Sequence, residues 1–136
     1  MSRPTPFLHP VTVRYLEVDR QGVVFNMWYL AYLDDAMTAF LAEGGLAYGD
    51  LLAAGYDVQV VHTELDWRGP LRFGDPAAVQ VELARIGRTS FTLDFEVTSS
   101  AGVAVNAATA YVAVRTDGSG KCEIPPVLLA ALQSPP

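Results

Sequence analysis

Asp19 is the side chain of this sequence best placed to do chemistry. It closes the apolar run VTVRYLEV and stands just before Gly22 and the apolar segment VVFNMWYLAYL. A carboxylate at such a junction has two uses. It can accept hydrogen bonds from the backbone of the turn or helix that follows, as Asp in caps and Asx turns does. It can also attack a bound carbonyl or take a proton from water. The second use gains from its neighbour, because the first N–H groups of a helix lack intrahelical partners and carry the positive end of the helix dipole. A donor of that kind, beside a carboxylate, suits an acyl transfer that passes through an oxyanion.

Other candidates are fewer. Asp34 and Asp35 fall in the middle of the helical segment and read as a flank that meets solvent or a second subunit. Glu64 and Asp66 lie in the following strand segment, where a two-fold pairing of chains would bring them toward the partner's Asp19. His9 and His62 are the only histidines and have no ligand spacing, and the single Cys122 excludes a thiolate zinc cluster and an intramolecular disulfide, so neither a metal nor another cofactor is expected. Arg68, Arg72, Arg85 and Arg88 stand within 21 residues that hold only Asp75 and Glu82 as acids, a local positive excess in an acidic chain.

The elements that must carry these residues follow from periodicity. Tyr29, Tyr32, Leu33, Ala36, Met37, Phe40 and Leu41 recur at i, i+3, i+4, i+7, i+8, i+11 and i+12, which predicts a helix over 27–43 with one apolar face. Asn26 is the expected N-cap and Gly44–Gly45 the expected stop. A short second helix is read over 47–55, ended by Gly55. The remainder reads as strand: 11–18 before the helix, then 57–67, 77–86, 90–98 and 103–115, separated by Gly, Pro, Asp and Ser clusters. In 90–98, Phe91, Leu93, Phe95 and Val97 alternate with Thr92, Asp94, Glu96 and Thr98, so one face of the sheet is apolar and the other wet. One long helix and a five-stranded antiparallel sheet each have one apolar face to cover. The economical arrangement is an α+β fold with the sheet wrapped around the helix, as a single domain over 1–136. The Pro-bearing ends RPTP and SPP are expected to fray.

Composition narrows the function. Against 15 acidic residues stand 9 Lys and Arg, a formal charge of −6, which argues against binding nucleic acid or an anionic membrane. The start MSRPTPFLHP lacks the apolar core of a signal peptide and no apolar run approaches the roughly 20 residues of a membrane span, so a cytoplasmic protein is expected. With 51% hydrophobic residues and no membrane span, the apolar content belongs to a core or a subunit interface.

The stretch VRYLEVDRQGVVFNMWYLAYLDDA, followed by ELDWRGPLRFGD, resembles the hot-dog acyl-CoA thioesterases of the 4-hydroxybenzoyl-CoA thioesterase type over about residues 7–115. The likeness rests on Asp19, Gly22, Val23, Val24, Asn26, Tyr29 and Leu30, with Pro70, Gly74 and Asp75 later. It implies an acyl-CoA hydrolase in which Asp19 is the catalytic carboxylate and the N–H at Asn26 binds the thioester carbonyl. Substrate contacts are expected at Gly22, Val24, Phe25, Tyr29, Glu64, Arg68 and Arg88, and the local excess of Arg68, Arg72, Arg85 and Arg88 reads equally as a landing site for the phosphates of CoA or as a solvated hairpin. A homo-oligomer is expected, with a dimer as the minimum and a tetramer, a dimer of dimers, as the full assembly. Many relatives carry His at the Asn26 position and a small polar residue where Val18 stands. The rival readings are a hot-dog dehydratase or hydratase using His62 and a non-catalytic acyl-binding subunit.

Overall fold

The computed structural model describes residues 6–134. All of the expected frayed ends but Pro6 and Ser134 lie outside them. The chain runs β1 (Phe7–Thr12), a 3₁₀ turn (Tyr15–Glu17), α1 (Trp28–Glu43), α2 (Tyr48–Ala53), β2 (Tyr56–Trp67), β3 (Pro76–Ile86), β4 (Ser90–Ser99), β5 (Gly102–Arg115), β6 (Gly120–Lys121) and α3 (Pro126–Gln133). The strands form one antiparallel sheet in the order β1-β3-β4-β5-β2, with the two-residue β6 added beside β5.

Register explains why the sheet has an inside. Val79 stands opposite Val97, which stands opposite Val105, and in the neighbouring row Val81, Phe95 and Ala107 are aligned. Because side chains alternate between faces, both rows point the same way. That face meets the buried stripe of α1, which is Tyr29, Tyr32, Leu33, Ala36, Met37, Phe40 and Leu41, the seven positions read from the periodicity. Phe91 and Tyr111 stack across β4 and β5 with centroids 5.0 Å apart. The intervening rows carry Glu82, Asp94 and Glu64, and then Glu96, Asn106 and Asp66, so the opposite face is acidic. The fold is the expected α+β hot-dog arrangement.

Three boundaries differ from the sequence reading. The first strand is Phe7–Thr12 rather than 11–18. Pro10 is tolerated in it because β1 is an edge strand with β3 alone for a neighbour. The alternating residues 13–18 instead close a 3₁₀ turn, drawn by the Glu17 side chain onto the Arg14 N–H at 2.9 Å. The N-cap of α1 is Met27, with helical φ −75° and no side-chain cap bond, not Asn26. The sequence reading also lacked α3, whose Leu128, Ala131 and Leu132 are buried and whose helix packs on α1.

Candidate active site

Asp19 sits at the tip of a tight hairpin built from 17–25. The Phe25 N–H donates to the Glu17 carbonyl at 2.9 Å, Val18 and Val24 form an antiparallel bridge, and the Asp19 N–H donates to the Val23 carbonyl at 2.8 Å. Gly22 N–H closes the turn on the Asp19 carbonyl at 2.9 Å, with φ +79°. Side chains rarely adopt that backbone conformation, and a Cβ built at Gly22 has nothing within 4 Å. Within one chain Gly22 is therefore required by its dihedral angle, not by crowding.

The Asp19 carboxylate is half-buried and half-committed. Oδ1 accepts the Gln21 N–H at 2.7 Å, an Asx turn, while Oδ2 has no hydrogen-bond partner among the described residues. The turn thus engages one oxygen and leaves the other unshared.

The second signature segment, about 50 residues later in the chain, joins this hairpin directly. Val24 N–H donates to the Leu71 carbonyl at 2.7 Å, and Val23 bridges to Arg72. Leu71 is fully buried beneath the junction. Asp75 holds its loop as Asp19 holds its own, its Oδ2 accepting the Arg72 N–H at 2.8 Å beside Gly74 at φ +86°. Phe73 reaches across to Tyr15 in an edge contact with centroids 6.0 Å apart.

The start of α1 lies at the other end of the hairpin. Trp28 N–H turns back to the Phe25 carbonyl at 2.9 Å, and the N–H groups of Asn26 and Met27 have no acceptor among the described residues. They are the unpaired donors at the positive end of the helix.

Glu17 was not singled out in the sequence, yet it is one of two buried polar side chains among the described residues, 3% exposed. Its Oε1 accepts the Arg14 N–H at 2.9 Å and the Tyr32 hydroxyl at 2.7 Å, and its Oε2 accepts the Arg14 Nε–H at 2.8 Å. Burial pushes its carboxyl up, but the bonds from the Arg14 backbone, the Tyr32 hydroxyl and the Arg14 guanidinium outweigh it, and the group lies below its ordinary 4.5. Burial and the Glu17 charge push the Tyr32 hydroxyl up. The alternation of 11–18 held the signal: Glu17 shares the inward parity of Val11 and Val13.

The remaining expected residues are dispersed. Val24 and Tyr29 are buried core, with burial raising the Tyr29 hydroxyl against a bond to the Leu71 backbone, whereas Phe25 is exposed beside the hairpin. Glu64 is on the acidic face, 3.1 Å from His62 Nε2. Arg68 lies 3.8 Å from Asp66 and donates from Nε to Asn106 Oδ1 at 3.3 Å. Arg88 pairs with Glu123 at 3.2 Å. Arg68 N–H donates to the Ala104 carbonyl, while Ala113 N–H donates to the Thr89 carbonyl beside Arg88. Ala104 and Ala113 are nine residues apart on β5, a span of about 30 Å at about 3.3 Å per residue. The four arginines close together in sequence are thus split between two ends of the sheet, with Arg72 joined to the Asp19 hairpin. Asp34 lines an apolar cavity of about 470 Å³ between α1 and β2, with Leu30, Leu33, Val60 and Tyr111. Desolvation, then the charges of Asp35 and Asp57, push its carboxyl up. Among the described residues no group of three or more His, Cys, Asp or Glu could hold a metal ion, and no helix is long and apolar enough to cross a membrane.

Residues 13–132 match the family model of the thioesterase-like superfamily. The chain belongs to this superfamily. A putative esterase of Aquifex aeolicus is 28% identical over 90 residues, covering 66% of this chain and 70% of that protein. A 1,4-dihydroxy-2-naphthoyl-CoA hydrolase of Synechococcus sp. is 24% identical over 120 residues, 84% of this chain and 80% of the relative. Among solved structures, a hypothetical protein of Aquifex aeolicus superposes with a TM-score of 0.88 at 26% identity, covering 93% of this chain and 99% of its own. Thioesterase-like proteins with this fold include named hydrolases of thioester bonds, the enzyme class that the sequence reading expected.

Proposed function

We propose that this protein hydrolyses an acyl-CoA thioester to a carboxylic acid and free CoA. The observation that carries the reading is the pairing of an unshared carboxylate oxygen, Asp19 Oδ2, with the unpaired N–H groups of Asn26 and Met27 at the two ends of one short hairpin. The thioester carbonyl oxygen docks on the Asn26 N–H, and the donor stabilises the oxyanion as the carbonyl carbon is attacked. Asp19 either takes a proton from the water that attacks this carbon, or attacks it itself to form an acyl-aspartyl anhydride that water hydrolyses, freeing the acid and Asp19, once the thiolate has left. The C–S bond then breaks, the acyl group leaves as the acid, and the CoA sulfur takes up a proton. No residue of the reaction needs a metal or a redox cofactor. The single Cys122, buried and unpaired, suits a reducing, cytoplasmic setting.

The assembly belongs to the same proposal. β2 is a 12-residue edge strand with a partner on one side only, and Val60 and Val61 at its centre are 55% and 57% exposed. A long apolar edge invites a second strand, so two chains pair through β2 into a dimer, and two dimers form the tetramer. Phe25 and Gly22 border the acyl group in this arrangement, and Arg68 and Arg72, at the Asp19 end of the sheet, are the arginines available to CoA phosphates. Arg88 takes part only if a neighbouring chain carries it there.

A panel of aliphatic and aromatic acyl-CoA substrates, followed by free thiol and released acid together, tests the reading. Equal appearance of both supports it. Absence of thiol release across the panel, from a folded oligomer, overturns it in favour of an acyl-binding subunit. Loss of turnover in His62→Ala would shift the chemistry to the histidine of a hydratase.

A further inference from the structure

We infer that Glu17 is a positioning residue of the active site, which ties both the Asp19 carboxylate and the oxyanion N–H of Asn26 to the central helix. The inference rests on the reading of Asp19 as the catalytic carboxylate.

The geometry places Glu17 between the two reacting parts. Its side chain is bound to α1 through the Tyr32 hydroxyl at 2.7 Å. Its own carbonyl accepts the Phe25 N–H at 2.9 Å, one residue before the Asn26 N–H. Two residues further along, Asp19 begins the turn, with Val18 held in the hairpin by its bridge to Val24. A shift of Glu17 therefore moves the carboxylate and the donor together relative to α1, and moves each relative to the other through the Phe25 bond.

The chemistry of the position points the same way. A fully buried carboxylate is expensive to desolvate and is commonly no better for stability than a well-packed apolar residue. Leu or Met would fill this site on packing grounds. What an apolar residue cannot do is fix a direction: three hydrogen bonds to two oxygens leave the Glu17 side chain one orientation. Arg14, which supplies two of them, is itself set over the Trp28 ring at 5.8 Å, the first residue of α1. The network is thus anchored on the first two turns of the helix whose N-terminus provides the oxyanion donor. Misplacement of reacting groups by about 1 Å lowers a rate by about 10²-fold.

The test is a double-mutant cycle in acyl-CoA hydrolysis. Glu17→Gln keeps the size of the side chain but gives Arg14 Nε a donor to face. It should lower kcat by tenfold or more with KM within about threefold, since the loss falls on transition-state geometry and not on substrate binding. In an Asp19→Asn background the same change should lower the residual rate by a clearly smaller factor, because only the oxyanion N–H of Asn26 is then left to position. Wild-type kcat in Glu17→Gln overturns the inference. So does an equal factor of loss in both backgrounds, which is the signature of general damage to the fold. If Glu17→Gln does not fold, Tyr32→Phe removes one bond of the network, and a threefold or greater fall in kcat, again by a smaller factor beside Asp19→Asn, is required. Unchanged kcat in a folded Tyr32→Phe then overturns it. Wild-type turnover in Asp19→Asn alone refutes the functional reading itself and this inference with it, whereas loss in Asp19→Asn with none in Glu17→Gln refutes the inference only.

Discussion

Replacing Gly22 separates two reasons for a glycine at the tip of the Asp19 hairpin. Its φ is +79° and a Cβ there meets nothing within 4 Å, so the penalty for a side chain is conformational. An L residue held in the left-handed region loses about 1–2 kcal/mol, while Asn, which bonds locally to its own backbone, loses less. At about 2.1 cal/mol/K per residue, a chain of 136 residues unfolds with an entropy of about 0.29 kcal/mol/K. The strain then converts to a fall of about 3–7 °C in Tm for Gly22→Ala. Gly22→Val should fall further, because a β-branched side chain is worse at positive φ, and Gly22→Asn should lie within about 2 °C of the wild type. Thermal unfolding of the three variants at equal protein concentration gives the order. If Asn destabilises as much as Val, size and not dihedral angle is the constraint. The open space around Gly22 would then have to be filled by a second chain.

Three further outcomes follow from the structure. Val60→Asp on the exposed β2 edge should halve the particle mass in light scattering and abolish turnover, and an active dimer of this variant would remove the β2 pairing. Arg68→Ala should raise KM for acyl-CoA in a salt-dependent way with kcat nearly intact, whereas Arg88→Ala, at the far end of the sheet, should leave KM within about twofold; a rise for Arg88→Ala at low salt would show that a neighbouring chain supplies it. Glu17 has a carboxyl below its ordinary 4.5 in the folded chain, so the stability it contributes is full above that pH and is lost as pH falls through the lowered folded value. The stability difference between wild type and Glu17→Gln, read from urea midpoints, should therefore shrink below about pH 4.5 and be flat from pH 6 to 8.

Much of this fold was legible because its signals are periodic. The seven buried positions of α1 and the alternation of β4 follow from a helix and a strand that each bury one face, and burial is what selects those residues. The parts that were not legible depend on contacts across the chain. The strand expected at 11–18 had the right alternation, but the Glu17 carboxylate wins the Arg14 N–H and turns the chain. Asn26 has the chemistry of a cap, yet the Phe25 carbonyl already receives Trp28 N–H, and the helix begins one residue later than that cap would set it. The arginines of 68–88 are close in sequence because a loop and a strand separate them, and that strand carries the last pair to the other end of the sheet. For the site, Asp19 and the helix start were visible as residue types at a spacing. The joining of Val23 to Arg72 and of Val24 to Leu71 was not, since nothing local to either segment encodes it.

The central claim is that Asp19 performs the chemistry rather than merely shaping its turn, and Asp19→Asn tests it most directly. Asn keeps an Oδ1 that accepts the Gln21 N–H, so the turn that holds the hairpin survives the change. What is lost is the negative charge of the carboxylate, with an amide NH2 in place of its unshared oxygen. The expected result is a fall in kcat for acyl-CoA hydrolysis by about 10²–10⁴, with the oligomer mass unchanged and Tm within about 2 °C of the wild type. Wild-type turnover in this variant would contradict it and move the search for the carboxylate to Asp34, in the cavity beside β2.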